Sequence, residues 1–157
     1  EMVLLKGVEK INDFQKRIMP YNIKKHFKTL KGLKIALWGL SFKPRTDDMR
    51  EAPALTIIAE LIKEGAQISA YDPVAMPNAR QILKNTVTYA QDEYSAAQGA
   101  DELLLVTEWP QFVRPDFEKL KEIMKQPVIF DGRNTYSPED LKELGFTYYF
   151  VGKKGAA

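Results

Sequence analysis

The sequence predicts an α/β domain: a doubly wound, mainly parallel six-stranded sheet with helices on both faces, preceded by an N-terminal helical segment. Three observations predict it. From Leu33 onward, short apolar runs alternate with stretches of helical periodicity, the pattern left by successive βαβ units. One run, Leu103-Leu104-Leu105-Val106, is apolar at every position, as expected of a strand covered on both faces. Turn residues, among them Gly39, Gly65 and Asp72-Pro73, punctuate the alternation.

Each element follows from its local pattern. Between Glu1 and Met19, Leu4, Val8, Ile11, Phe14 or Gln15, and Ile18 recur at helical spacing with Lys6, Glu9, Lys10, Asp13 and Lys16 between them. Pro20 is expected to end or kink that helix, a second short helix to run from Ile23 to Leu30, and Gly32 to cap it. Strand one is Lys34 to Trp38. A helix with Ala54, Leu55, Ile58, Leu61 and Ile62 follows, opened by Pro53, whose missing N–H costs nothing in a first turn. Strand two is Gln67 to Tyr71. Then come a helix around Ala79 to Lys84, a strand at Val87 to Tyr89, a helix from Glu93 to Gln98 and the strand Leu103 to Val106. A helix from Asp116 to Met124, strand Val128 to Phe130, a helix from Pro138 to Leu144 and strand Tyr148 to Val151 complete the set, and Gly152 to Ala157 reads as a frayed tail.

Right-handed crossovers give six such strands the order 3-2-1-4-5-6, a Rossmann-like arrangement. Strands one, four and five then lie side by side. Their carboxyl ends bring together the loops Leu40 to Arg50, Thr107-Glu108-Trp109 and Asp131-Gly132-Arg133-Asn134 at the topological switch point, where phosphate-bearing ligands settle. Lys43, Arg133 and Arg50 are the anion ligands this topology offers to one crevice.

Bulk properties narrow the function. The chain has 157 residues, 45% hydrophobic and 28% charged, with no apolar run near the ~20 residues of a membrane span. Its net charge of +2 supplies no extended basic field, so neither nucleic acid nor membrane is expected as a partner. There is no cysteine, which excludes disulfides, thiolate metal sites and a cysteine nucleophile within the chain. No metal-ligand spacing is visible. The start, EMVLLKGVEK, lacks a secretory signal, and a cytoplasmic location is expected. Beginning without an initiator methionine, the chain reads as a C-terminal piece of a longer enzyme.

The run Gly39-Leu40-Ser41-Phe42-Lys43-Pro44, then Thr46-Asp47-Asp48-Met49-Arg50-Glu51 and Ala52-Pro53-Ala54, resembles the signature that opens the C-terminal domain of the UDP-glucose/GDP-mannose dehydrogenases. The likeness is greatest to the branch acting on UDP-glucose, and extends to Asp131-Gly132-Arg133 and to Thr107-Glu108-Trp109, similar to a Thr-x-Trp element there. Asn12 and Gln15 match an Asn-x-x-Gln element. The resemblance implies residues 1–31 as the end of an interdomain, dimer-building helix and 32–157 as a nucleotide-sugar (UDP) binding domain. It implies Phe42, Lys43 and Arg133 as contacts to the UDP-sugar and Arg50 as a residue reaching the NAD side. NAD would sit mainly in an absent N-terminal domain, and UDP-glucose would be oxidised twice, to UDP-glucuronate, through a cysteine outside this chain. No catalytic residue is then expected here, and the piece alone would be inert. Siblings acting on GDP-mannose or UDP-N-acetylmannosamine, and a non-catalytic nucleotide-binding module, are the alternatives.

Each residue has a structural alternative. Lys43 reads also as a solvated loop lysine, Arg133 as a salt-bridge partner of Asp131 or Asp48, and Arg50 as part of a network with Asp47, Asp48 and Glu51. Trp109 reads as stacked near a base or as buried beneath its loop. Asp72 ends strand two where dinucleotide folds place a ribose-binding acid, but Gly39 belongs to no G-x-G-x-x-G and lies 33 residues before it, against a usual spacing of about 20. His26 is expected to meet helix-terminal carbonyls.

Overall fold

A computed structural model describes residues 2–152, with side-chain detail for residue 11 and residues 13–152. The expectations for Leu4, Val8, Asn12 and the tail beyond Gly152 lie outside these described residues. Six parallel strands form one sheet in the order β3-β2-β1-β4-β5-β6, the order expected from the sequence. They are β1 (Lys34–Trp38), β2 (Gln67–Tyr71), β3 (Thr88–Tyr89), β4 (Glu102–Leu105), β5 (Val128–Asp131) and β6 (Thr147–Phe150). Helices α1 (Met2–Phe27), α2 (Pro53–Lys63), α3 (Met76–Leu83), α4 (Glu93–Ala97), α5 (Pro110–Val113), α6 (Phe117–Ile123) and α7 (Pro138–Glu143) connect and cover them.

Period-two alternation divides the core between the sheet's two faces. Ile35, Leu37, Leu104 and Phe130 point to the side of α1 and α2, where Met19, Ile23, Ile58 and Leu61 meet them. Ala36, Trp38, Leu103, Leu105 and Ile129 point the other way, against Phe112, Leu120, Leu141 and Tyr148. Trp38 stacks on Phe112 with ring centroids 5.0 Å apart, and its indole N–H donates to the Glu93 carbonyl over 2.9 Å.

Three sequence expectations for the N-terminal segment are corrected here. The N-terminal segment is one helix that runs through Pro20 rather than two helices meeting there. Proline removes one rung of the helix ladder, at a cost of about 3 kcal/mol. Met19 and Ile23, buried on either side of it against the sheet, supply about 1.5–3 kcal/mol each and hold the axis through. The helix then ends at Phe27, with Lys28 taking the left-handed conformation (φ 63°), so Gly32 turns the chain toward β1 instead of capping α1. His26 meets no terminal carbonyl through its ring: its Nδ1 lies 2.6 Å from the Tyr149 hydroxyl, tying α1 to β6. Burial lowers its pKa.

β4 starts one residue before the expected apolar run, at Glu102. This carboxyl group shares Leu104's face of the strand, is fully buried, and neither of its oxygens has a hydrogen-bond partner. Burial, with a smaller contribution from the charge of Asp101, pushes its pKa well above the usual carboxylate range. The folded chain therefore favours the neutral acid, which releases its proton on unfolding once the pH exceeds the ordinary carboxylate value. Stability is greatest below that value and falls as pH rises toward the folded-state pKa. Glu102→Leu is expected to raise stability by roughly 1–3 kcal/mol at neutral pH. Melting curves from about pH 4 to pH 8 should show the gap over wild type widening with pH; a constant gap would mean that ionisation plays no part.

Candidate functional site

The loop after β1 is built around a buried carboxylate. Asp72, at the end of β2, is surrounded by six donors: five N–H groups and the Ser41 hydroxyl, whose one proton is shared with the Lys43 carbonyl 3.0 Å away. Its Oδ2 takes the Leu40 N–H (2.8 Å), the Ser41 N–H (3.0 Å), the Ser41 hydroxyl (3.1 Å) and the Trp109 indole N–H (3.1 Å). Its Oδ1 takes the N–H groups of Val74 (3.0 Å) and Ala75 (2.8 Å). No acceptor is left for a ribose. The indole bond places Trp109 beneath the loop, so of its two sequence readings the buried one holds.

The Thr107 hydroxyl donates to the Ser41 carbonyl over 2.6 Å and joins this loop to the one after β4. Gly39 makes that approach feasible: its φ is +93°, and a Cβ there would fall 2.5 Å from the Thr107 backbone nitrogen. Beyond Ser41 the chain closes on itself, the Phe42 N–H donating to the Asp48 carbonyl (2.8 Å), and leaves the Phe42 ring 53% exposed.

A second buried carboxylate organises the loop after β5. Asp131 accepts from the N–H groups of Arg133 (2.8 Å), Thr135 (2.6 Å) and Tyr136 (3.2 Å), and from the Tyr148 hydroxyl (2.8 Å). Gly132 crosses the end of β4, where a Cβ would sit 3.1 Å from the Leu105 carbonyl. The left-handed residue of this turn is Asn134 (φ 55°), whose amide side chain brackets Val151 with hydrogen bonds of 3.0 and 2.8 Å.

Between these loops and α1 lies a crevice of about 540 Å³ at the carboxyl ends of β1, β4 and β5. Phe42 and Arg133 line it, with Gln15, Lys16 and Met19 on the α1 wall and Glu51 at the start of α2. Lys16 and Glu51 stand 3.8 Å apart. Arg133 pairs with neither Asp131 nor Asp48 through its guanidinium but with Glu108, whose carboxylate receives Nε at 2.5 Å and Nη2 at 2.7 Å. Those bonds raise the Arg133 pKa; in Glu108 burial is the largest single influence and acts upward, but the Arg133 hydrogen bonds, a bond from its own backbone N–H and the Arg133 charge together leave its pKa below the usual value.

The remaining two cations lie elsewhere. Lys43 is exposed and is not among the crevice-lining residues. Arg50 is almost wholly exposed, faces a separate groove with Asn78, Gln81 and Ile82, and grips Asp48 (Nε 3.0 Å, Nη2 2.8 Å). That hydrogen bonding brings Asp48 down to about 2. The crevice lining thus includes Phe42 and Arg133; Lys43, the residue after Phe42, is exposed outside that lining, and Arg50 faces the separate groove. Sequence reasoning missed Gln15, Lys16 and Glu108 as neighbours of the site. For Glu108 the signal was present, since the strand order already placed Thr107 to Trp109 beside Arg133. Among the described residues no cluster of side chains has the make-up of a metal site.

A six-stranded parallel sheet in this order, with a crevice at its switch point, defines a domain of the doubly wound class. Residues 36–138 match the family profile described as "UDP-glucose/GDP-mannose dehydrogenase family, UDP binding domain", and the chain belongs to this family. It is 41% identical to a UDP-glucose 6-dehydrogenase of Pseudomonas aeruginosa over 98% of its own length and 35% of the relative's. It is 44% identical to the UDP-glucose 6-dehydrogenase TuaD of Bacillus subtilis over 80% of its length and 27% of the relative's. Among solved structures, a UDP-glucose dehydrogenase from Pyrobaculum islandicum superposes with a TM-score of 0.80 at 28% identity, over 97% of this chain and 32% of that one. The chain spans about a third of the length of such relatives.

Because both oxygens of Asp72 only accept, Asp72→Asn turns an amide N–H toward backbone donors. A loss of about 2–4 kcal/mol in urea unfolding is expected. Gly39→Ala, strained in both φ and space, should cost at least as much; a loss under about 0.5 kcal/mol in either variant would mean the loops are not held this way.

Proposed function

We propose that the chain is the UDP-binding domain of an NAD-dependent UDP-glucose dehydrogenase, and that it holds the uridine diphosphate part of UDP-glucose in the crevice between Phe42 and Arg133. The observation that carries this reading is the Arg133 guanidinium at the switch point of a domain of this family. In it, Arg133 binds the diphosphate through charge-assisted hydrogen bonds, the exposed Phe42 ring packs on the bound molecule, and Lys43 reaches over the rim. Arg50, outside the crevice, belongs to the NAD side.

The oxidation of UDP-glucose to UDP-glucuronate requires a hydride acceptor, which NAD supplies when bound, and a cysteine that this chain does not contain. Both are assigned to the two thirds of the relatives' length not covered here, and the chain alone is assigned no activity. That Asp72 is consumed by its own loops supports placing NAD elsewhere. A homodimer through α1 belongs to the same reading. It is supported by Ile11, Phe14 and Tyr21, three exposed apolar residues that helical spacing puts on one face, away from buried Met19 and Ile23. A cytoplasmic location fits too; among the described residues no helix is long and apolar enough to cross a membrane.

Calorimetric titration with UDP, UDP-glucose, GDP and NAD tests the assignment. UDP and UDP-glucose are expected to bind, and Arg133→Ala and Lys43→Ala each to weaken them by about 1–3 kcal/mol while leaving the melting temperature nearly unchanged. Unchanged affinity in both variants would remove the site, and preference for GDP would move the assignment to the mannose branch.

A further inference from the structure

We propose that Glu108 is a positioning residue for Arg133: its carboxylate occupies the Nε/Nη2 edge of the guanidinium and holds the Nη1/Nη2 edge ready for a phosphate in the crevice. The inference rests on the reading of the crevice as a diphosphate site.

A guanidinium offers two edges to bidentate acceptors. Glu108 takes one of them, at 2.5 and 2.7 Å, and among the described residues nothing accepts from Nη1. The two partners also stand on different sides. Arg133 lines the crevice, whereas Glu108 lines a neighbouring groove with Arg45 and Arg114, so the carboxylate approaches from behind and leaves the crevice side open.

Glu108 is itself held firmly. The residue before it, Thr107, is clamped to the Ser41 carbonyl, and the residue after it, Trp109, is fixed on Asp72; both are buried. The Arg133 backbone is fixed with equal firmness by Asp131. The pair therefore bridges two rigid loops.

Stability does not account for it. With 42% and 32% of the two side chains exposed, the pair belongs to a class that contributes little to folding. Ordering matters more. A free arginine side chain loses much rotamer freedom when it binds an anion, and one already held by a second acceptor has lost it beforehand.

The test is titration of the 157-residue chain with UDP and with uridine, in wild type, Glu108→Ala, Glu108→Gln, Arg133→Ala and the double variant Glu108→Ala/Arg133→Ala. Glu108→Ala is expected to weaken UDP about fivefold to tenfold and to leave uridine, which has no phosphate, unchanged. Glu108→Gln, which keeps one acceptor oxygen, should fall between wild type and Glu108→Ala. Once Arg133 is alanine, removing Glu108 should have no further effect on UDP. Unchanged or tighter UDP binding in Glu108→Ala, with Arg133→Ala still weakened, would overturn the positioning role and make Glu108 a bystander or a competitor of the ligand. Equal loss of UDP and uridine would overturn it in favour of a fold effect. If Arg133→Ala binds UDP as wild type does, or wild type binds none, the crevice reading itself fails and this inference with it.

Discussion

The buried carboxylate of Asp72 is the constraint on which the rest of the site depends. A buried carboxyl group must find its hydrogen-bond partners within the protein, and here six donors drawn from the ends of three strands surround it. Those donors cannot be rearranged singly, since each N–H released would be left unpaired. The loop after β1, the turn into α3 and the segment after β4 are thereby locked to one another, and the course of Leu40 and Ser41 fixes where Phe42 emerges. Asp131 does the same for the loop after β5 through its bonds to Arg133, Thr135, Tyr136 and Tyr148.

This arrangement separates two tasks that the loop sequences mix. The acids that end β2 and β5 look like ligands or catalysts, but both face inward and spend their acceptors on backbone N–H groups and on the side chains of Ser41, Trp109 and Tyr148. The groups left for chemistry with a solute are those the acids hold in place: an aromatic ring on one loop and a guanidinium on the other. Arg50 illustrates the opposite case. Exposed and bound to Asp48 on its own loop, it has no fixed relation to the crevice, because nothing buried ties its side chain to the sheet.

Much of the fold was legible because its determinants are local or topological. Period-two apolar runs, helical spacing and right-handed crossovers led to the six strands and their order, with boundaries displaced by a residue or two. The failures have specific physical causes. Pro20 reads as a break because its local cost is visible, while the burial of Met19 and Ile23 that offsets it is a tertiary fact. Glu102 fell outside the expected strand because a wholly buried, unpartnered acid contradicts the apolar-run criterion. Helix α5, only four residues long from Pro110, is too short to show periodicity. At the site, strand order alone led to Arg133 in the crevice, whereas Phe42 entered only through the family resemblance. Lys43 and Arg50 could not be assigned sides, since the course of an eleven-residue loop from Leu40 to Arg50 depends on hydrogen bonds such as Phe42 to Asp48 that no spacing rule announces.

The unbroken course of α1 through Pro20 makes the helix part of the cavity as well as a preamble to the sheet. The residues just before the proline, Gln15, Lys16 and Met19, form one wall of the crevice, and those just after it, Ile23 above all, are seated in the core. The missing backbone hydrogen bond lies at the junction of the two, which is where a helix is most compliant. The width of the crevice therefore depends on the bend of a lever about 39 Å long whose soft point falls beside the opening, so a small change of bend there would widen or narrow it with no strand moving.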